Sequence, residues 1–238
     1  MRLREKTESI PKPLVEIGGK PILWHLMKIY AHFGFDDFIL CLGYKGELIQ
    51  EFCKQVSGWN VTPVDTGQET NTGGRLKRVQ AHVTSPTFFT TYADGLADID
   101  LPGLLAFHRQ QGTVGTMTCV KPWTHFGLVD IGANRRVTGY REKPRLDSWV
   151  NGGFFVFEQR IFDYIKDNEV LEREPLDRLT REGNLSAYQF NRFWVCMDTY
   201  KDTQNLNKLW DTEQAEWRVW NDDAEHGLAP ATGPRHRV

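Results

Sequence analysis

Apolar runs of strand length alternate with segments of helical periodicity through the first half of the chain, and no other feature constrains the fold as tightly. Pro21 opens a predicted helix whose apolar positions Ile22, Leu23, Leu26, Ile29, Tyr30 and Phe33 lie on one face, and Gly34 stops it. Phe38 to Leu42 is a continuous apolar run, as expected of a strand covered on both faces. A helix over Gly46 to Val56, a strand over Val61 to Val64, a helix over Arg75 to Val83 and a strand over Phe88 to Tyr92 follow. Asp100 is the predicted N-cap of a helix over Leu101 to Gln111, ended by Gly112, and Val114 to Val120 is strand again. Such βα alternation predicts a parallel sheet layered by helices.

Beyond Phe126 the texture changes. Gly127 to Ile131 and Val137 to Tyr140 flank Gly132-Ala133-Asn134 as a predicted hairpin. A strand over Phe154 to Phe157, helices near Gln159–Lys166 and Pro175–Glu182, and a strand over Leu185 to Val195 come next. Thr199 to Trp220 is helical, and the tail from Ala224 is expected to fray. The expected division is one domain over residues 1–200, followed over 201–238 by a C-terminal helix and flexible tail. The first twenty residues hold no predicted buried strand.

Composition narrows the function. Twenty-nine Lys+Arg against thirty-one Asp+Glu leave a formal charge of −2, too balanced for a protein that lives on nucleic-acid phosphates. No apolar run reaches the roughly 18 residues of a membrane span, and the N-terminus lacks a secretory signal pattern. Cys41, Cys53, Cys119 and Cys196 form no C-x-x-C pair, and three sit in apolar runs. They are expected to be buried thiols of a cytoplasmic protein rather than a disulfide frame or zinc site.

Asp94 and Asp198 each lie just past the end of an apolar run, where open α/β sheets bind ligands. Two hard carboxylates there suit Mg²⁺ beside substrate phosphates, although Asp94-Gly95 also fits a turn and Asp198-Thr199 a helix cap. Lys12, between Pro11 and Pro13, is expected on an extended, conformationally restricted backbone as a point charge for phosphate, or else as a solvated loop lysine. Thr72-Gly73-Gly74-Arg75 joins a glycine turn to a basic helix start, which favours anions without matching a P-loop. Glu142-Lys143 and Asn151 offer groups that hydrogen-bond sugar hydroxyls or pair with phosphate, and equally fit turns. The chain has no G-x-S-x-G elbow, no H-E-x-x-H and no kinase signature. Phosphoryl or nucleotidyl transfer therefore fits best, because positioning and charge neutralisation carry it without a side-chain nucleophile.

Taken in order, Pro11-Lys12-Pro13-Leu14-Val15-Glu16-Ile17-Gly18-Gly19-Lys20-Pro21, Val64-Asp65-Thr66-Gly67, Thr72 to Arg78, Tyr92-Ala93-Asp94-Gly95, Asn151-Gly152-Gly153 and Met197-Asp198-Thr199 resemble the sugar-1-phosphate nucleotidyltransferases, and among them the glucose-1-phosphate cytidylyltransferases. The resemblance implies a Rossmann-like, GT-A-type α/β fold with a mixed central sheet and helices on both faces. It implies Mg²⁺-dependent transfer from CTP to glucose 1-phosphate within a homo-oligomer. By the same resemblance Arg2 and Lys12 are catalytic, and Asp94 and Asp198 hold the metal. Thr70, Arg75 and Ala93 fall in nucleotide-binding segments. Gly127, Glu142, Lys143 and Asn151 match the sugar-phosphate pocket.

Three departures from the family pattern carry expectations. Only Arg2 remains of a glycine-rich loop that normally follows a first buried strand, so two strand edges are expected to lack a partner and transfer is expected to be impaired. The connection between Phe52 and Trp59 is short. Ala93 replaces a usual glycine, which requires a negative φ there. A non-catalytic binding relative, or an enzyme using another base or sugar, is the alternative.

Overall fold

The computed structural model describes residues 9–221 of the 238-residue chain. Arg2 and the tail from Ala224 lie outside the described residues. A 3₁₀ turn at Lys12–Leu14 leads into the miniature hairpin β1 (Glu16–Ile17) and β2 (Lys20–Pro21), then helix α1 (Ile22–His32). Strand β3 (Asp37–Leu42), helix α2 (Gly46–Gln55), strand β4 (Asn60–Asp65) and helix α3 (Thr72–Arg78) follow, with β5 (Thr87–Thr91), β6 (Gly95–Ala97) and α4 (Leu101–Gln111). The second half contains β7 (Gly115–Val120), β8 (Leu128–Ile131), β9 (Val137–Arg141), β10 (Val150–Glu158), α5 (Ile161–Tyr164), α6 (Glu174–Arg181), β11 (Leu185–Phe190), β12 (Trp194–Cys196) and α7 (Tyr200–Asp211).

The sheet is mixed rather than parallel. Its strand order is β11-β7-β10-β5, with β11 parallel to β7 and β10 antiparallel to both of its neighbours. The chain leaves β7 through residues 121–149 and returns beside it, Val150 opposite Val120, without the helical crossover a parallel neighbour needs. Parallel pairing occurs again between β3 and β4, where Pro63 is accommodated because β4 has no second partner among the described residues.

Several predicted boundaries move. The strand expected over Leu185 to Val195 breaks at Asn191–Phe193, and its second half, β12, pairs with β6 in another sheet. The last helix ends at Asp211, and the helix expected near Gln159–Lys166 contracts to a single turn. Asp100 caps α4 as expected, accepting from the Gly103 amide at 3.0 Å. All four cysteines are free, but only Cys119 is buried and Cys41 is exposed, because β3 keeps one open edge.

That edge is informative. Phe38 of β3 and Phe89 of β5 join one core, and Ile39 and Phe88 join another, so both strands separate the same two apolar layers. Yet β3 is hydrogen-bonded only to β4 and β5 only to β10 among the described residues. The expected pair of unpartnered edges is present.

The N-terminal hairpin is held by the C-terminal segment. His25 is fully buried among Trp24, Trp210, Trp217 and Trp220, with ring centroids 4.7–6.2 Å away. Its Nε2 donates to the Ile17 carbonyl at 2.8 Å, so Nδ1 is left to accept from the Trp217 indole at 3.4 Å. Gly18, at φ +57°, lies so close to the Trp210 ring that a β-carbon there would come within 2.1 Å of it. Asn207 accepts from the Gly18 amide at 3.0 Å.

Burial in this box pulls His25 down to about 4, against the opposing pull of the Ile17 and Lys20 backbone. The unfolded chain, with a histidine pKa near 6.5, therefore binds more protons than the fold between pH 6.5 and 4. The stability this residue contributes is fully present above about pH 6.5 and falls as the pH drops toward 4, by about 3 kcal/mol. Urea unfolding as a function of pH is expected to show this slope in the unaltered protein and to lose most of it in His25→Gln. An identical slope in both would assign the acid sensitivity elsewhere.

Candidate active site

The β6–β12 ladder builds the centre of the site. Gly95 pairs with Cys196, and the Met197 amide donates to the Asp94 carbonyl at 2.9 Å. This register brings Asp94 and Asp198, one hundred and four positions apart in sequence, to the same end of two adjacent strands. Thr199, rather than Asp198, caps α7: its hydroxyl accepts from the Asp202 amide at 3.2 Å, and Asp202 accepts from the Thr199 amide at 2.7 Å. That capping box fixes the backbone and leaves the Asp198 carboxylate to point elsewhere.

It points at Lys12. The Lys12 ammonium donates to Asp94 Oδ2 at 2.6 Å and to Asp198 Oδ1 at 2.7 Å, so one cation bridges both carboxylates. Lys12 stands at the start of the 3₁₀ turn rather than on extended backbone, because the fixed φ of Pro13 suits a first helical turn and Leu14 bonds back to Pro11. Burial pulls the Lys12 pKa down, but its hydrogen bonds to Asp198 and Asp94 and their charges outweigh it, and the net shift is upward. The same hydrogen bond holds Asp198 below the usual carboxylate range, helped by the nearby His125. Cys196, which the sequence did not single out as a site residue, completes a group in which one donor atom each from Asp94, Cys196 and Asp198 lie within 4.8 Å of one another. Burial and the two carboxylates push its thiol upward, so it stays protonated at neutral pH. Two hard carboxylate oxygens at this spacing fit a divalent cation.

Around this centre the predicted residues fall into two groups. Asn151 sits at a bulge in β10: its side-chain oxygen accepts from the Gly153 amide at 2.8 Å, and its amide donates to the Tyr92 hydroxyl at 3.3 Å. Gly153, at φ +77°, would place a β-carbon 2.6 Å from the Tyr92 ring. Tyr92 in turn donates to Glu172, whose other oxygen accepts from the Thr72 hydroxyl at 2.6 Å. Glu172, another residue the sequence did not mark, thus ties the start of α3 to Tyr92 and Asn151. Gly127, Glu142 and Lys143 lie instead on the exposed β8–β9 arm. There Glu142 pairs with Lys143 at 3.1 Å and accepts from Tyr140. Lys143 takes a left-handed φ of +44°, a conformation non-glycine residues rarely adopt.

Thr70 and Arg75 bind the protein's own loops. Arg75 donates to the Leu42 carbonyl and the Thr66 hydroxyl, both at 2.8 Å, and to the Gln68 carbonyl at 3.1 Å. Thr70 is buried and accepts from Arg78 at 2.7 Å. Ala93 packs against the small core formed by Leu23, Met27, Leu42 and Ile49, and its φ is not positive. No helix among the described residues is long and apolar enough to cross a membrane.

A nucleotidyl transferase family model matches residues 1–219. The chain belongs to that family. It is 42% identical over 245 aligned positions to the glucose-1-phosphate cytidylyltransferase of Salmonella typhimurium, covering 92% of this chain and 95% of the relative, and equally to that of Salmonella typhi. The aligned span exceeds the 238 residues of this chain, so these relatives carry segments that it lacks, in keeping with the short Phe52–Trp59 connection. Among solved structures, HddC from Yersinia pseudotuberculosis shares the fold, with a TM-score of 0.68 at 22% identity over 84% of this chain and 90% of that one. The mixed sheet and its helices are those of a GT-A-type nucleotidyltransferase.

Lys12 is the neutralising charge between two carboxylates, and its removal leaves them facing each other. Lys12→Met is therefore expected to gain more thermal stability from millimolar Mn²⁺ or Mg²⁺ than the unaltered protein does, as followed by scanning fluorimetry. An equal response from both proteins would separate Lys12 from the cation site.

Proposed function

We propose that this protein transfers a cytidylyl group from CTP to glucose 1-phosphate, releasing pyrophosphate and forming CDP-glucose. The observation that carries the reading is the convergence of Lys12, Asp94 and Asp198 at one end of the β6–β12 pair. The 42% identity to a glucose-1-phosphate cytidylyltransferase over nearly all of both chains supports the choice of base and sugar.

The chemistry asks little of the side chains as acids or bases. The second pKa of a phosphate monoester is near 6, so glucose 1-phosphate arrives as a dianion at neutral pH and its oxygen attacks the α-phosphorus of CTP directly. The new P–O bond forms as the bond from the α-phosphorus to the bridging oxygen breaks, and pyrophosphate leaves with the electron pair. Alignment and charge neutralisation set the rate. In this reading Asp94 and Asp198 hold Mg²⁺, which when bound would neutralise triphosphate charge. Lys12, once released from one carboxylate, carries its ammonium to the phosphates. Asn151, held by Tyr92, orients the sugar phosphate together with Gly127, Glu142 and Lys143. Thr70, Arg75 and Ala93 belong to the nucleotide side, where Arg75 fixes the turns after β3 and β4 and so shapes the wall that meets the base. Four free thiols fit a reducing, cytoplasmic setting.

Purified protein given CTP, glucose 1-phosphate and Mg²⁺ is expected to release pyrophosphate, and to prefer CTP to UTP, dTTP and GTP. Asp94→Asn and Asp198→Asn should each lower kcat by about 100-fold or more, the scale on which single electrostatic contacts in such sites act. Full turnover in either variant removes that carboxylate from the cation site, and equal use of all four nucleotides removes the assignment of the base.

A further inference from the structure

The Thr72-Gly73-Gly74 turn is occupied by another part of the chain, and that part ends at the site. Residues 168–172 run beside residues 69–74 as a strap. Asn168 Oδ1 accepts from the Asn71 amide at 2.7 Å, and the Asn168 carbonyl accepts from the Asn71 side chain at 2.8 Å. The Gly74 amide donates to the Glu169 carbonyl at 3.1 Å, and the Leu171 amide to the Thr72 hydroxyl at 2.9 Å. The two glycines let the strap lie this close. A β-carbon on Gly73 would stand 2.7 Å from the Glu169 carbonyl oxygen, and one on Gly74 2.5 Å from Asn168 Oδ1. The glycine turn is therefore closed by this chain rather than left open for an anion.

The strap delivers Glu172. This side chain is exposed, yet both carboxylate oxygens are engaged, Oε2 by the Thr72 hydroxyl at 2.6 Å and Oε1 by the Tyr92 hydroxyl. The direction of each bond follows from counting hydrogens. Burial, with the hydrogen bond to Glu172 and its charge, pushes the Tyr92 pKa upward, so the phenol keeps its proton. A carboxylate accepts, so Tyr92 donates to it and the phenolic oxygen is left to accept. That oxygen takes one hydrogen of the Asn151 side-chain amide at 3.3 Å, while Asn151 Oδ1 accepts from the Gly153 amide at 2.8 Å. The Asn151 amide is thereby held one way round. Its second hydrogen has no partner among the described residues and is offered as a donor.

We propose that Glu172 is a positioning residue of the sugar-phosphate pocket: by taking the Tyr92 hydrogen it turns the Asn151 amide so that one N–H is held ready for an oxygen of the sugar phosphate. The inference rests on the function proposed above, which sets Asn151 at that substrate. Without Glu172 the Tyr92 hydroxyl is free to donate to Asn151 Oδ1. It then competes with the Gly153 amide and lets the Asn151 side chain turn over, presenting an oxygen where the substrate oxygen needs a donor. The strap's other hydrogen bonds do not pass through Glu172, so α3 and Arg75 on the nucleotide side keep their support.

The test compares the full chain with Glu172→Ala, Tyr92→Phe and Glu172→Gln, folding being checked by circular dichroism. Glutamine keeps an acceptor for Tyr92 and offers its amide to the Thr72 oxygen, so it is the conservative variant. In Glu172→Ala and in Tyr92→Phe the KM for glucose 1-phosphate should rise about tenfold, the scale of one hydrogen bond, while the KM for CTP holds. The double variant should be no worse than either single one, because both cut the same relay. Glu172→Gln should recover most of the loss. A general loosening of the fold would move the KM for CTP as well. Amide hydrogen exchange, followed by mass spectrometry over residues 150–157, reads the relay without turnover: protection around Gly153 should fall in Glu172→Ala and return in Glu172→Gln. Unchanged exchange in Glu172→Ala overturns the relay whatever the activity. Faster exchange with an unchanged KM overturns the link to the sugar phosphate. If Glu172→Ala does not fold, Tyr92→Phe decides by the same two readouts. Exchange altered as expected in a protein without any turnover overturns the proposed reaction and the pocket role that rests on it, so the two failures are told apart.

Discussion

One ammonium between two carboxylates organises the functional end of this molecule. Asp94 precedes β6 and Asp198 follows β12, and the antiparallel pairing of those two strands brings like charges together in a partly buried place. Without Lys12 the two carboxylates would repel each other. With it, Asp198 stays ionised, and the three groups form a compact cluster of net charge −1. The same negative cluster that accepts Lys12 is suited to a divalent cation, so in the proposed function the lysine and a metal would compete for one pair of oxygens. In that reading a polyphosphate ligand would resolve the competition by offering the lysine a new anionic partner.

The scaffold that holds Lys12 is assembled from both ends of the described chain. The 3₁₀ turn leads into the β1–β2 hairpin, that hairpin rests on α7 through Asn207, and His25 locks it to a box of tryptophans. Neutral His25 donates through one ring nitrogen and accepts through the other, so protonation breaks the acceptor side and places a charge among apolar rings. Several of the eight tryptophans are spent here on structure, and the box stands two residues beyond the helix start that follows the Lys12 turn. The charge at the site is therefore only as well placed as this aromatic packing.

Much of the site was legible because its signals are local. Asp94 and Asp198 each follow an apolar run, and Lys12 lies between two prolines, so position relative to a strand end or a turn is enough to nominate them. Cys196 and Glu172 gave no such signal. Cys196 reads as one more residue of a buried strand until its register against Gly95 turns it toward the carboxylates. Glu172 precedes a helix in a charged stretch, and only its contacts with Tyr92 and Thr72 distinguish it from any exposed acid. Arg75 shows the converse: its place after a glycine turn suggests a free anion-binding group, whereas its guanidinium is committed to the carbonyls of Leu42 and Gln68.

The sequence by itself determined the helices, most of the strands, the cap at Asp100 and the order of the motifs, because periodicity, caps and turns depend on neighbours within a few residues. Tertiary structure alone decided that β10 inserts antiparallel beside β7, that the run from Leu185 to Cys196 divides between two sheets, and that two aspartates so distant in sequence share one lysine. Those outcomes depend on which strand edges meet and in which register. Edges are backbone, identical in every residue but proline, so the choice is made by the packing of whole faces rather than by any local string of side chains.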